Sequence, residues 1–194
     1  MSMTALTVSL RPTIDLSDEQ FYELCRNNPD IRFEQTAKGE LIIMPPTGGE
    51  TGNRNFNLTA QLGVWVEADG TGLGFDSSTA FKFPNGATRS PDAAWIRRDR
   101  WETLTPREKE RFPPITPDFV VELRSRTDEL EDVRLKMQEY IANGVRLGWL
   151  LNPQDHQVEI YRPGKAVEVL LAPATLSGEE VLPGFVLVLK NLLA

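Results

Sequence analysis

Two acidic residues and one lysine in the middle of the chain could perform hydrolytic chemistry together. Asp92 stands at the start of a predicted strand, Glu122 near the end of the apolar run Phe119–Leu123, and Lys136 on the helix that follows. Residues placed in this way can converge on one point. Two carboxylates and a cation are what a magnesium-dependent site for phosphodiester cleavage requires. The leading hypothesis is therefore an enzyme that cuts nucleic acid.

The chemistry would be metal-assisted hydrolysis. Asp92 and Glu122 would hold one or two Mg²⁺ ions through hard oxygen ligands. The cation would bind a phosphate oxygen and lower the pKa of a bound water, while Lys136 orients that water and offsets the developing charge. Glu34 could join as a further acid from the first predicted hairpin, although an isolated acid on a short strand is more often structural or exposed.

Glu122 and Lys136 also have purely structural interpretations. Glu122 could form a salt bridge in the core with Arg124 or Arg146, because a buried carboxylate without a partner is costly. Lys136 could pair with Asp132, which precedes it by four residues on the same predicted helix in the favourable order of acid before base. The sequence leaves both alternatives open.

Hydrophobic periodicity predicts the elements that would position these residues. It indicates strands at 31–35, 40–44, 73–76, 79–83, 91–97, 119–123, 146–151, 158–161, 167–171 and 186–189, and helices after the capping box at Ser17, at 51–68, at 101–111 and at 127–143. The last helix joins two apolar strands with the length and order of a βαβ crossover. We expect an α/β fold (an α+β mixed sheet), in which helices flank a central mixed β-sheet with N-terminal hairpin additions.

Length and composition limit the class of protein. A chain of 194 residues suggests one domain, with a flexible N-terminal arm at 1–16 and a single domain at 17–194. The one cysteine, Cys25, excludes an intrachain disulfide and fits a cytoplasmic location, and we expect it to be buried rather than nucleophilic. No apolar run approaches the ~20 residues of a membrane span, so no membrane association is expected.

The net charge of −7 counts against binding to nucleic acid, because such proteins usually carry a basic surface. The distribution weakens this objection. Residues 89–136 hold eleven of the 21 basic residues and eleven acids, so the negative excess lies outside this window. Acidic groups that hold a cation also lower the formal charge without repelling the substrate once the cation is bound.

Aromatic and basic residues that follow the strand at 91–97 could contact nucleic acid. Trp101 lies beside Arg98 and Arg100, so its ring could stack on a base while the arginines bind phosphate. The alternative is that Trp101 belongs to the core. His156, the only histidine, lies in a predicted turn and is expected at the surface, which makes a histidine-based catalytic dyad improbable.

Several ordered motifs resemble a known group of nucleases. Over about residues 15–190 the chain is similar to the PD-(D/E)XK nuclease superfamily, and more closely to a family of restriction-endonuclease-like proteins once catalogued as a domain of unknown function. The resemblance rests on Arg32-Phe33-Glu34 to Met44-Pro45-Pro46, Ser90-Pro91-Asp92-Ala93-Ala94-Trp95, Pro117 to Ser125, Lys136-Met137-Gln138-Glu139-Tyr140, Gly148-Trp149-Leu150-Leu151 and Val158 to Pro163.

The resemblance implies a restriction-endonuclease-like core, dependence on magnesium, and Asp92 and Glu122 as metal ligands. In the superfamily the lysine usually follows the second acid by two residues, but Arg124 occupies that position here. Arginine is too basic to deprotonate water, and in this family the lysine role is placed on the following helix, which points to Lys136. Many relatives carry a histidine after the Pro-Pro pair. This chain has the segment 49–55 there, in which Glu50 or Asn53 could line the same groove.

The sequence therefore predicts a Mg²⁺-dependent endonuclease that hydrolyses phosphodiester bonds in DNA, with Mn²⁺ able to substitute for Mg²⁺. The first alternative is a catalytically inactive nuclease-like module that binds nucleic acid or a protein partner, and the second is a hydrolase of a small phosphate substrate. Because each chain would carry one site, cutting both strands of a duplex favours a homodimer with twofold symmetry.

Overall fold

Residues 5–193, the part of the chain that the structure describes, form thirteen strands and five helices in this computed structural model. The elements are β1 (Leu6–Val8), α1 (Asp18–Asn27), β2 (Arg32–Gln35), β3 (Leu41–Met44), α2 (Gly49–Asp69), β4 (Gly72–Asp76), β5 (Phe81–Lys82), β6 (Thr88–Arg89), β7 (Ala93–Arg97), α3 (Arg98–Glu102), α4 (Pro106–Glu110), β8 (Phe119–Leu123), α5 (Leu130–Ala142), β9 (Leu147–Asn152), β10 (Gln157–Tyr161), β11 (Glu168–Leu171), β12 (Thr175–Ser177) and β13 (Val186–Val188). None of the described helices is both long enough and apolar enough to cross a bilayer.

A six-stranded sheet lies at the centre of the fold. Its strands follow the order β11-β10-β9-β8-β7-β4. Strands β8 and β9 pair in parallel, with Glu122 opposite Leu150, whereas the other neighbours pair antiparallel. Helix α5 connects the two parallel strands. The predicted crossover and the predicted mixed α/β sheet are therefore confirmed.

Apolar clusters cover both faces of the central sheet. One cluster contains Leu58 of α2 and Val121 of β8, and the other contains Met137 of α5 and Val120 of β8. Successive side chains of a strand point to opposite faces. Glu122 therefore shares the face of Val120 and lies on the side of the sheet that α5 covers.

A second sheet carries the N-terminal hairpin. Its five strands follow the order β1-β3-β2-β6-β5. Strands β2 and β3 pair antiparallel with Glu34 opposite Ile42, as the hairpin prediction requires. The single pair between β2 and β6, Gln35 with Thr88, joins the hairpin to the strand that leads into Asp92. This connection brings Glu34 next to the central sheet.

The N-terminal segment differs from the flexible arm predicted for residues 1–16. Strand β1 pairs antiparallel with β3, with Leu6 opposite Ile43 and Val8 opposite Leu41. Apolar and β-branched residues favour strand pairing, and the hairpin offers an open edge. Residues 1–4, which belong to the predicted arm, and residue 194 lie outside the described residues. The domain boundary at residue 17 stays a prediction.

Three short elements also differ from the sequence prediction. The segment 101–111 was expected to form one helix, but α3 and α4 are separate, because Thr105 and Glu108 form a capping box that starts α4 at Pro106. Strands β6 and β12 were not predicted. They contain two and three residues, which is too short to give a periodic pattern.

Candidate active site

Asp92 lies where two strands and one helix meet. It precedes β7, and its Oδ1 accepts a hydrogen bond from Nδ2 of Asn55 on α2 at 3.1 Å. Its Oδ2 accepts a hydrogen bond from the backbone N–H of Leu123, at the end of β8, at 2.8 Å. Burial raises the pKa of the Asp92 carboxyl above its ordinary value, although the Leu123 N–H and the charge of Lys136 oppose this shift. The carboxylate is held from two sides.

Glu122 occupies the buried end of β8 and is 8% exposed. Its Oε1 accepts a hydrogen bond from the hydroxyl of Tyr140 at 2.8 Å and lies 3.0 Å from Nζ of Lys136. Burial raises the pKa of Glu122 to about 7; Lys136 opposes this shift, whereas the negative charges of Asp92 and Glu34 add to it. The negative charge of Asp92 thus makes ionisation of Glu122 less favourable, because the two carboxylates repel each other.

Lys136 connects two of the carboxylates. Its Nζ lies 2.9 Å from Oε1 of Glu34 and 3.0 Å from Oε1 of Glu122. Burial would lower the pKa of Lys136, but the two carboxylates outweigh burial and raise it above the ordinary value. The amine therefore stays protonated at neutral pH and acts as a fixed positive charge rather than as a base.

Glu34 supports this lysine. Of the two alternatives expected for it, structural or exposed, exposure is excluded, because Glu34 is only 3% exposed. Its Oε1 also accepts the backbone N–H of Ser90 at 3.0 Å, and its Oε2 lies 3.2 Å from Nη1 of Arg89. Burial alone would raise the pKa of Glu34, but Lys136 and Arg89 lower it below the ordinary value. Because two cations already neutralise Glu34, we regard it as the holder of Lys136 rather than as a metal ligand.

A cleft of about 400 Å³ opens over these groups. Asp92, Glu122 and Lys136 all line it, so the structure brings together the three residues that the sequence identified. Residues on the β2–β3 hairpin, at the start of α2 and in the loop between β8 and α5 complete the lining; among them are Arg32, Pro45, Gly48, Glu50, Asn55, Ser125, Arg126 and Asp128. Of the two alternatives expected for this groove, Glu50 lines the cleft, whereas Asn53 is not among the lining residues.

The alternative partners of Glu122 are engaged elsewhere. Arg124 lies 3.3 Å from Asp155, and Arg146 lies 3.7 Å from Asp118. The guanidinium of Arg124 also donates to the side chain of Asn152 at 3.2 Å and to the backbone carbonyl of Asp128 at 3.1 Å. Arg124 is not among the residues that line the cleft, and between the two candidates for the lysine role Lys136 is the one that contacts Glu122.

Arg98, Arg100 and Trp101 are not part of this cleft. They follow β7, whereas Asp92 precedes it, so they lie at the opposite edge of the sheet, roughly 20 Å away at about 3.3 Å per residue. Arg98 donates to the carbonyl of Gly70 at 3.1 Å, Arg100 pairs with Asp118 at 2.8 Å, and Trp101 packs against Phe75. A contact between these three residues and nucleic acid stays a prediction, but it would be remote from the carboxylates.

His156 lies at the surface as expected, whereas Cys25, which was expected to be buried, is only partly buried. His156 is exposed in the turn between β9 and β10, and its Nδ1 lies 2.7 Å from the carbonyl oxygen of Leu193. Burial raises the pKa of the Cys25 thiol to about 11, so this cysteine stays protonated and is a poor nucleophile.

The donor set fits a divalent cation that receives only part of its ligands from the protein. Among residues 5–193 there is no group of three or more His, Cys, Asp or Glu side chains that could hold a metal. Mg²⁺, however, is usually bound through one or two carboxylates, with water and substrate phosphate supplying the other ligands. Asp92 and Glu122 provide two such oxygen donors at one cleft. A cation between them would relieve the repulsion that helps to raise the pKa of Glu122.

Sequence reasoning did not identify Asn55 and Tyr140 as site residues. Asn55 is the last residue of the segment 49–55, which stands where many relatives carry a histidine, and Tyr140 lies one helical turn after Lys136. The i, i+4 spacing to Lys136 was the available signal for Tyr140. Asn55 and Asp92 are 37 residues apart, and no local sequence pattern predicts that they are in contact.

Tyr140→Phe should destabilise the protein by about 1.5–3 kcal/mol, the usual value for a hydrogen bond to a charged group. The variant removes the hydroxyl that donates to Glu122 and leaves the packing of the ring on Phe83 in place. Urea denaturation would measure the change, with Tyr22→Phe, an aromatic substitution outside the cleft, as the control. A loss no larger than that of the control would show that the hydrogen bond is weak.

Glu122→Gln should change how stability depends on pH in the metal-free protein. A carboxyl whose pKa is raised in the folded state stabilises the protein at low pH, and this contribution is lost as the pH rises through the folded value. With a shift from 4.5 to about 7, wild type should lose roughly 3 kcal/mol relative to the variant between pH 4 and pH 8. Denaturation in the presence of a chelator would measure this difference.

Glu67→Gln is the matched control for this experiment, since Glu67 is an exposed glutamate on α2. Its free energy of unfolding should depend on pH in the same way as that of wild type. Parallel stability curves for wild type and Glu122→Gln would mean that Glu122 has an ordinary pKa, and would remove the argument that repulsion between the carboxylates favours a cation.

Comparison with known proteins identifies the fold and the family. The family model "Uma2: Putative restriction endonuclease" matches residues 18–190. A solved structure, that of "a putative nuclease belonging to DUF820" from Anabaena variabilis ATCC 29413, aligns with a TM-score of 0.75 and 21% sequence identity over 92% of this chain and 97% of that chain. No curated protein matches the chain. The predicted resemblance and the restriction-endonuclease-like fold are therefore confirmed.

Proposed function

Because the chain belongs to the Uma2 family of restriction-endonuclease-like proteins, we propose that it is a divalent-cation-dependent endonuclease that hydrolyses phosphodiester bonds in DNA. Family and fold support a nuclease-like function. The observation that carries the finer proposal is the meeting of Asp92, Glu122 and Lys136 in one cleft, although they come from three different elements.

Asp92 and Glu122 would hold the cation, with Mg²⁺ as the proposed metal and Mn²⁺ as a substitute. When bound, such a cation polarises the scissile phosphate and makes a bound water more acidic. The protein supplies rigidity. The Leu123 N–H and the Asn55 amide fix Asp92, and Tyr140 fixes Glu122, so the two carboxylates face the cleft without rearrangement.

Lys136 would stabilise negative charge that develops on the phosphate. Its protonated amine is held by Glu34 and Glu122 at the wall of the cleft. A preorganised positive charge in a site with little water stabilises a transition state far more than the same charge does in bulk solvent. Arg32 and Arg126 also line the cleft and would bind neighbouring phosphates of the strand, in spite of the net charge of −7.

Cleavage of plasmid DNA would test this function. Wild type should convert supercoiled plasmid to nicked or linear forms in the presence of Mg²⁺ or Mn²⁺, and a chelator should stop the reaction. Single-stranded DNA and RNA of matched sequence would show whether the activity is restricted to duplex DNA. If no nucleic acid is cleaved with either cation, the catalytic proposal fails.

The net charge of −7, together with Arg124 in place of the superfamily lysine, favours a second candidate, an inactive nuclease-like module that binds nucleic acid or a protein partner. Such a module would bind without cleaving, and its binding would not depend on a cation. Cleavage that disappears in a folded Asp92 variant would exclude it. A hydrolase of small phosphate substrates would instead release phosphate from them and leave DNA intact.

A homodimer and a cytoplasmic location remain predictions that accompany this function. Two copies related by a twofold axis would place one cleft on each strand of a duplex. Sedimentation at micromolar concentration would test the dimer, and a monomer with full activity on duplex DNA would contradict it.

A further inference from the structure

Asn55 lines the cleft, and only one of the two polar atoms of its side chain has a hydrogen-bond partner among the described residues. It lies in the second turn of α2, and its Nδ2 donates a hydrogen bond to Oδ1 of Asp92 at 3.1 Å. This bond fixes the orientation of the amide, because turning the group over would place its oxygen against a carboxylate oxygen. Nδ2 is therefore the amide atom that faces Oδ1 of Asp92, and Oδ1 of Asn55 is left for another partner.

Oδ1 of Asn55 is buried and has no hydrogen-bond partner among the described residues. Only two other buried side-chain atoms in residues 5–193 share this property, the indole nitrogens of Trp95 and Trp149, which lie in the apolar core. Leaving a buried acceptor unsatisfied costs about 1–3 kcal/mol. An unsatisfied polar atom at a functional site calls for a ligand, a water or an ion as its partner.

The chemistry of this atom suits a cation. Asn55 lines the same cleft as Asp92 and Glu122. An amide carbonyl is a hard oxygen donor of the kind that Mg²⁺ and Mn²⁺ accept. It is also neutral, so it adds a ligand without a third negative charge beside two carboxylates that already repel each other.

We propose that Asn55 supplies a third protein ligand to the cation through Oδ1, while its Nδ2 holds Asp92 in place. The inference rests on the proposed function, since it assumes that Asp92 and Glu122 bind a divalent cation. It would explain why the protein keeps an unsatisfied amide oxygen beside its candidate metal ligands. It also gives the site three oxygen donors from three elements, α2, the start of β7 and β8.

Two substitutions at Asn55 separate a ligand from a residue that only positions Asp92. Asn55→Asp keeps an oxygen donor but loses the amide N–H that bonds Asp92, whereas Asn55→Leu loses both and keeps the volume. Calorimetric titration with Mn²⁺ and with Mg²⁺ would compare the two variants with wild type. Asn55→Leu should bind at least tenfold more weakly, and Asn55→Asp should bind at least as tightly as wild type.

Asn57→Leu is the matched control, because Asn57 lies on the same helix and bonds to Asn53 of that helix. Its cation affinity should equal that of wild type. If Asn55→Leu does not fold by circular dichroism, Asn55→Ala makes the same comparison, since it deletes the amide without adding bulk.

The possible outcomes distinguish this inference from the proposed function. Equal weakening in Asn55→Asp and Asn55→Leu would mean that Asn55 acts only through Asp92, and unchanged affinity in Asn55→Leu would mean that it has no role. Either result would show that Asn55 is not a ligand of the cation, and both are compatible with a cation site that depends on Asp92. If wild type binds neither cation, with or without duplex DNA, the proposed function and this inference both fail.

Discussion

Asp92→Asn is expected to reduce DNA cleavage by at least roughly 1,000-fold, more than the loss of one oriented hydrogen-bond donor usually causes. The variant removes one of the two carboxylates that would hold the cation. It also places an amide nitrogen against either the Asn55 amide or the Leu123 N–H, because both oxygens of Asp92 accept hydrogen bonds. Initial rates of plasmid cleavage at saturating Mg²⁺ would measure the effect.

Circular dichroism must show that Asp92→Asn is folded, and Asp92→Ala provides a second variant without the misplaced donor. Asp30→Asn, which changes an exposed carboxylate outside the cleft, should cleave like wild type. Wild-type rates in a folded Asp92→Ala variant would show that this carboxylate has no part in the chemistry.

Lys136→Met is expected to destabilise the protein by about 3–5 kcal/mol at pH 8, the usual result of removing one partner from buried ions. Without the ammonium, Glu122 would lose the positive charge that lies 3.0 Å from it. Glu34 would retain one ion-pair partner, Arg89. The loss should shrink toward pH 4, where the carboxylates take up protons. Urea denaturation at several pH values would measure it.

The same variant should also lose cleavage by about 100-fold or more, because the positive charge at the wall of the cleft is gone. Lys136→Arg should recover most of the stability and part of the activity, since it keeps a charge but changes the geometry of the donor. Lys165→Met, at an exposed lysine, should change stability by no more than about 0.5 kcal/mol. A stable Lys136→Met variant with wild-type activity would refute both roles.

The central fold could be predicted because its signals are local. The apolar runs of β8 and β9 and the helix stripe of α5 are each visible in a short window, and their length and order match a βαβ crossover. An acid inside such a run must be paired or must bind something, which is why Glu122 was identified from sequence alone. The order of strand and helix likewise indicated that Lys136, on the helix that follows, could converge with Glu122.

The supporting residues could not be predicted, because their contacts join segments far apart in the chain. Glu34 and Lys136 are separated by 102 residues, and Asn55 and Asp92 by 37. No periodicity encodes which strand edge faces which helix. Arg98, Arg100 and Trp101 follow Asp92 closely in sequence but lie at the other end of β7, so closeness in sequence did not mean closeness in space. Their contact with nucleic acid stays a prediction.

A further consequence of the site geometry is a balance between stability and function. Glu122 is held by Tyr140 and Lys136, but its raised pKa shows that the metal-free protein tolerates its charge poorly. A cation would remove that cost. Residues that reduce stability in this way are commonly kept because function requires them.

The measurement that tests the central claim most directly is calorimetric titration of wild type, Asp92→Ala and Glu122→Ala with Mn²⁺ and Mg²⁺, in the absence and presence of duplex DNA. The DNA is included because substrate phosphate could complete the ligands of the cation. The account predicts that wild type binds the cation and that both folded variants lose this binding. Cation binding that survives in both variants, or its absence in wild type even with DNA, would contradict the account and leave Asp92 and Glu122 as structural residues.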